Sequence, residues 1–122
     1  YTNIPDLIFE QILIDKDIDS DNVLNGHVLT ADISSVVTLE IYNIDSIINF
    51  TGIESFTALE TLKLISIFGV SSFNVNNNLL LKTLIIYDCG VLLSLDVSNN
   101  IALETLTCAF ASLFLYHFPK TI

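Results

Sequence analysis

Apolar residues recur along the chain in one short pattern. The pattern is a leucine, a second leucine three residues later, and an apolar residue two positions further on. It occupies residues 59–64, 81–86 and 103–108, so that Leu59, Leu81 and Leu103 follow one another at equal intervals. A constant interval of this kind is typical of a solenoid, in which each coil buries its apolar row against its neighbours.

Each repeat contains a segment with the alternation of a short strand. The last two apolar positions are two residues apart, which places both side chains on one face. A weaker copy of the pattern begins at Val36, one coil before the first clear copy. We therefore predict four strands, paired in parallel in a small concave sheet, near residues 36–42, 59–65, 81–87 and 103–109.

The beginning of the chain predicts a helical cap over residues 1–35. A proline suits the first turn of a helix that we predict over residues 5–15. Three apolar residues would share its inner face: Phe9, Ile12 and Leu13. The cap would cover the open end of the first coil, and residues 36–122 would form the coils of the same single domain.

Two segments carry a family resemblance. Residues 95–100 read L-D-V-S-N-N and residues 103–108 read L-E-T-L-T-C. On these residues the chain resembles the leucine-rich repeat family, specifically its secreted bacterial members. The resemblance implies an α/β fold, a short right-handed solenoid or horseshoe with turns and loops outside its sheet and cap helix. It also implies secretion or cell-surface display and a role such as adhesion, but no particular partner.

One position departs from that family. The family places Asn, or sometimes Cys, at the ninth position of the repeat, where the side chain bonds the turn after the strand. Here the ninth positions are Ile44, Ile67, Cys89 and Ala111. We therefore expect no amide ladder, and the turns would pair through backbone or water instead.

The end of the chain is apolar and has no recognisable cap helix. The repeat fits best there when it is one residue shorter, with Phe114 and Tyr116 in the places of Leu93 and Leu95. An uncapped apolar edge favours either a homo-oligomer or a fragment of a longer solenoid. The candidate self-association residues are Phe110, Phe114 and Phe118.

Charge narrows the classes of partner. The chain has 14 acidic residues against 4 lysines and arginines, for a formal net charge of −10. Nucleic acid requires clustered positive charge, so we expect no such partner. No apolar window reaches the length of a membrane span, and we expect no membrane insertion. The acidic residues early in the chain favour a solvated cap.

An acidic loop in the cap suggests a weaker alternative. Asp17, Asp19 and Asp21 alternate as the first ligands of a calcium loop do. Asn22 stands where that loop needs Gly, and Val28 where it needs a bidentate Glu. The segment is therefore either a weak calcium site that stabilises the cap or an acidic connecting turn.

No constellation of catalytic residues is recognisable. His27 and His117 are predicted at opposite ends of the stack, where they cannot act together. Cys89 and Cys108 occupy inward positions of adjacent coils. They could form a disulfide, supply half of a metal site, or simply be two small buried residues. We predict a protein that is not an enzyme and has no cofactor.

The outward residues of the four strands remain as a candidate binding face. They form an apolar and aromatic patch of the kind that marks contact surfaces, although such residues also simply favour strands. We predict a binding module that recognises a protein or a glycan with its concave sheet. The candidate binding residues are Tyr42, Lys63, Ile65, Ile85, Tyr87 and Thr107.

Overall fold

The structure, a computed structural model, describes residues 1–109 and 114–116. It has a small α/β architecture with two short helices and eight strands in these residues. A 3₁₀ turn, Ile53–Ser55, precedes the fourth strand. In chain order the helices and strands are β1 (Thr2–Asn3), α1 (Leu7–Asp15), β2 (His27–Val28), α2 (Thr30–Ile33), β3 (Thr38–Ile44), β4 (Thr61–Ile67), β5 (Thr83–Tyr87), β6 (Ser94–Asp96), β7 (Thr105–Ala109) and β8 (Phe114–Tyr116).

The central sheet consists of four parallel strands in the order β3-β4-β5-β7. Thr38 pairs with Thr61, Thr61 with Thr83, and Thr83 with Thr105. Successive strands therefore pair at the interval of the sequence repeat, and the first coil is longer than the next two by a single residue. Each strand connects to the next through one coil, so the chain is a parallel solenoid.

The strands begin two residues later than predicted, because the first leucine of each repeat lies in a corner before the strand. Leu59 N donates to Phe56 O at 3.2 Å, and Leu103 N donates to Asn100 O at 3.0 Å. Leu59, Leu81 and Leu103 are fully buried in these corners. Burying a leucine side chain stabilises a fold by about 1.5–3 kcal/mol, so the repeated corner is a main source of stability.

The cap helix is confirmed, and Asp6 joins it to the first coil. One carboxylate oxygen of Asp6 accepts from Ile8 N at 2.9 Å and so caps α1, which begins at the next residue. The other oxygen accepts from Ile48 N and Asn49 N at 2.9 and 3.0 Å. Phe9 is fully buried and packs edge-on against Phe50, so α1 covers the end of the core.

The expectation that the chain lacks an amide ladder is wrong. Asn78 Nδ2 donates to Ile53 O and Phe56 O, both at 3.0 Å. Asn100 Nδ2 donates to Val75 O at 2.9 Å and to Asn78 O at 3.0 Å. Each buried amide thus ties its corner to the preceding coil. The ladder lies at the corner before the strand rather than in the turn after it.

The register of the last strand pair also differs from the prediction. β6 and β8 are parallel, with Ser94 opposite Phe114 and Asp96 opposite Tyr116. The interval from β6 to β8 is therefore two residues shorter than the interval from β5 to β7, whereas the sequence predicted a difference of one. Phe110 and Phe118 of the predicted self-association edge lie outside the described residues, as do Ala111 and His117.

Candidate functional site

The six predicted binding residues lie together on the exposed side of the four-stranded sheet, which we call the sheet face. Strand register arranges them, together with Glu40 and Ala109, in two rows. The first row is Glu40, Lys63, Ile85 and Thr107, and the second is Tyr42, Ile65, Tyr87 and Ala109. Neighbouring strands lie about 4.8 Å apart, so each row spans roughly 14 Å. The opposite side of the sheet packs into the core.

The second row presents two tyrosines on either side of an isoleucine. Tyr42 is 42% exposed and Tyr87 is 43% exposed. Ile65 is half-buried and lies between them in the register. Their backbones belong to adjacent hydrogen-bonded strands, so the three side chains project from a rigid support. This arrangement is an apolar and aromatic contact surface.

A polar group borders this surface at the β3 edge. Lys63 Nζ lies 3.8 Å from Glu40 Oε2. The Tyr42 hydroxyl donates to Glu40 Oε1, and this hydrogen bond is the main cause of the raised pKa of Tyr42. Tyr42 therefore stays protonated at neutral pH, with its hydroxyl directed at the carboxylate. The ion pair and this hydrogen bond orient the first tyrosine of the surface.

A third row, missed in the sequence, lies directly after the sheet face. Asn43, Ser66 and Asp88 have left-handed backbones, with φ of 58, 57 and 56°. Ser66 Oγ donates to Asp88 Oδ2 at 3.0 Å across adjacent coils. A left-handed residue other than glycine costs about 1 kcal/mol, so three in register form a regular bend that ends the face. The available signal was that these three polar residues recur at the interval of the repeat.

The cysteines have no role in a disulfide. Cys89 and Cys108 are both free. Cys89 Sγ donates to Leu64 O at 3.4 Å. Burial raises the pKa of Cys89, and it raises the pKa of Cys108 to about 11. Both side chains are therefore protonated thiols at neutral pH and weak nucleophiles.

The acidic loop uses its carboxylates as turn acceptors. Asp19 Oδ1 accepts from Asp21 N at 3.4 Å. Asp21 accepts from Val23 N at 2.7 Å and from Asn25 Nδ2 at 3.0 Å. Asp17 has a left-handed backbone, with φ of 58°. Across residues 1–109 and 114–116, no three His, Cys, Asp or Glu side chains are grouped so that they could hold a metal ion.

The interpretation of the cap acids as solvated is wrong for two of them. Glu10 is fully buried and Asp19 is 1% exposed. The Glu10 carboxylate accepts from Asn25 N at 3.0 Å and from Gly26 N at 2.7 Å. It therefore fixes the acidic loop against α1. This role is not visible in the sequence, because both partners lie far from Glu10 along the chain.

Replacing Asp19 with Asn is expected to raise the melting temperature by a few degrees at pH 7. Burial, followed by the Asp21 carboxylate, raises the pKa of Asp19 above its ordinary 3.8. The folded protein thus binds this proton more tightly than the unfolded chain, and the stability it provides is lost as pH rises through the folded pKa. The gain from Asp19→Asn should shrink towards zero below pH 3.8.

Thermal melts between pH 3 and 7 measure this difference, with Asp45→Asn as the control at an exposed position. Both variants remove one negative charge, so their difference isolates burial. A gain of equal size at every pH, or a loss at pH 7, would contradict the assignment.

Comparison of the chain with protein-family models, with curated proteins and with solved structures found no match. In the part of the chain that the structure describes, no helix is both long and apolar enough to cross a bilayer. The sheet face combines exposed aromatic side chains, rigid support and a charged border.

Proposed function

We propose that the chain is a non-catalytic binding module of the leucine-rich repeat type, displayed outside the cell, which recognises a protein or a glycan with the sheet face. One observation carries the proposal: Tyr42, Ile65 and Tyr87 stand side by side in register and remain accessible. Aromatic side chains in such positions supply much of the binding energy at protein interfaces.

The stacked coils support binding in a second way. Side chains on strands of a hydrogen-bonded sheet are already ordered, so association requires little further loss of backbone entropy. Tyrosine has an apolar ring that packs on a partner and a hydroxyl that hydrogen-bonds at the border. The Glu40–Lys63 pair lies beside the apolar row and offers charges of both signs. Such a border favours orientation and specificity over affinity.

The double replacement Tyr87→Ser with Ile85→Ser is expected to weaken binding about 30-fold or more while the fold is retained. Both side chains lie on the sheet face and are at least partly exposed, whereas the core leucines are untouched. Loss of a buried aromatic anchor typically costs about 2 kcal/mol or more. Glycan arrays and a displayed peptide library identify ligands, and titration of each ligand against the variant measures the loss.

The matched control replaces Leu79 and Ile101 with serine. These residues are 54% and 74% exposed at corners outside the sheet. Replacing them removes an apolar surface comparable to that of Tyr87 and Ile85. We expect this control to bind normally. Two results would overturn the sheet face as the binding site. One is an equal loss of ligand binding in the two double variants, and the other is unchanged binding by the variant with Tyr87→Ser and Ile85→Ser. Circular dichroism establishes that each variant is folded.

A further inference from the structure

β3 is an edge strand, and its outer edge is open. Within the described residues it pairs with β4 alone. Val37 O accepts from Thr61 N at 3.1 Å. Residues of a parallel ladder direct their backbone groups alternately to opposite sides, so Thr38, Glu40 and Tyr42 direct theirs away from β4.

These outward groups lack partners in the part of the chain that the structure describes. No backbone hydrogen bond joins Thr38, Glu40 or Tyr42 to the cap, and no side chain in residues 1–109 pairs with their N–H or C=O groups. Sheet edges are ordinarily protected because their free N–H and C=O groups pair with any available strand. From Thr38 to Tyr42 the edge has free backbone groups, over roughly 13 Å, that a further strand could pair with.

A groove lies directly beside this edge. Its walls come from the end of α1 on one side and from β3 on the other. The volume is ≈ 260 Å³. The helix covers the end of the core but leaves space next to β3, which suits a short extended segment rather than a second helix. Residues that line it include Ile12, Asp15, Lys16, Glu40, Tyr42 and Ile44.

The residues that line the groove indicate the chemistry of the ligand that it would bind. The charges near the groove balance, since Lys16 lies beside Asp15 and Lys63 pairs with Glu40. The whole chain carries −10, however, and the field of the protein favours a positively charged ligand. Ile12 and Ile44 provide apolar contacts within the same groove. In an extended peptide beside β3, successive side chains point to opposite sides of the sheet. Basic side chains on the side of the sheet face would meet Glu40, and apolar side chains on the side of the core would meet Ile12, which packs against the core.

We propose that the open edge of β3 and the adjacent groove bind an extended basic peptide, with apolar residues at alternate positions, which adds a fifth strand to the sheet. The main-chain hydrogen bonds would supply affinity, and the groove would select side chains. This site adjoins the sheet face and shares Glu40 and Tyr42 with it, but it differs in using backbone groups at one edge. It does not require that the sheet face have a partner.

The probe is a short fluorescent peptide of alternating lysine and valine. A second peptide has the same sequence and charge but carries an N-methyl group on every backbone amide, so it cannot donate at any position. We expect the lysine–valine peptide to bind about 10-fold more tightly or better, as one or two net hydrogen bonds provide. Fluorescence anisotropy measures both affinities. Equal affinities would mean charge attraction alone and would overturn the proposal.

Amide hydrogen exchange locates the bound peptide on the unmodified protein. Exchange at Thr38, Glu40 and Tyr42 is expected to slow when the lysine–valine peptide is added. Unchanged exchange at these amides with peptide bound would overturn the proposal. This measurement decides the matter even where a variant fails to fold.

Two variants test the site against one matched control. Thr38→Pro removes an outward N–H while leaving the ladder to β4, and Asp15→Lys reverses a charge in the groove. Each variant is expected to lower the affinity for the lysine–valine peptide about 10-fold. Glu104→Lys makes the same charge change at an exposed position in the fourth coil and is expected to bind normally. Equal weakening by Glu104→Lys and Asp15→Lys would overturn the assignment to the groove.

Discussion

Asn100→Leu is expected to lower the free energy of unfolding by about 1–3 kcal/mol. Asn100 Nδ2 donates to Val75 O and Asn78 O, at 2.9 and 3.0 Å. The side chain is fully buried, and leucine would remove both of these hydrogen bonds. Each carbonyl would keep one backbone donor, since Val75 O also accepts from Asn78 N at 3.0 Å and Asn78 O from Leu81 N at 3.2 Å. A hydrogen bond within a protein contributes about 0.5–1.5 kcal/mol net, and two are lost here.

One feature of the site reduces this loss. Asn100 Oδ1 is buried and has no hydrogen-bond partner among the described residues. Leucine removes this oxygen together with the amide, so the expected loss lies below the maximum for two lost hydrogen bonds. Asn78→Leu should behave similarly, because Asn78 Nδ2 bonds Ile53 O and Phe56 O in the same manner.

Urea unfolding followed by circular dichroism measures the change. The matched control is Asn99→Leu, which makes the same chemical replacement at the exposed neighbouring residue. Substitutions at such surface positions usually alter stability by no more than about 0.5 kcal/mol. Equal losses in the two variants would show that the ladder does not stabilise the coils.

Gly69→Ala is expected to destabilise the protein by about 3 kcal/mol. A Cβ at residue 69 would lie 2.1 Å from Ile47 O, 3.1 Å from Ile47 C and 3.2 Å from Asp45 O. These are backbone atoms of the preceding coil, which cannot rotate away as a side chain can. The turn after β4 would have to move off its neighbour, and the stacking of the first two coils would loosen.

Gly90→Ala provides the control for this change. Gly90 lies in the turn after β5, and a Cβ there would meet no atom within 4 Å. We expect its stability to stay within about 0.5 kcal/mol of the unmodified protein. Urea unfolding compares the two variants directly. A small effect of Gly69→Ala would mean that the coils are not held as closely as the structure has them.

Local and periodic features were predictable from the sequence by itself. The constant repeat interval determined which segments pair, because every coil must present its apolar row at the same place for stacking to bury it. The alternation within Thr61–Ile67 and Thr83–Tyr87 determined which residues face outward, so both rows of the sheet face followed. The cap helix followed from its apolar spacing.

Only the tertiary structure decided where polar groups find their partners. Asn78 and Asn100 recur at the interval of the repeat, but the carbonyls that they bond belong to the preceding coil and are not marked in the sequence. Glu10 is buried because the backbone of Asn25 and Gly26 returns to it. The open edge of β3 likewise depends on how the cap sits. Hydrophobic burial is periodic along a solenoid and visible in the sequence, whereas hydrogen bonding requires two specific groups that only folding brings together.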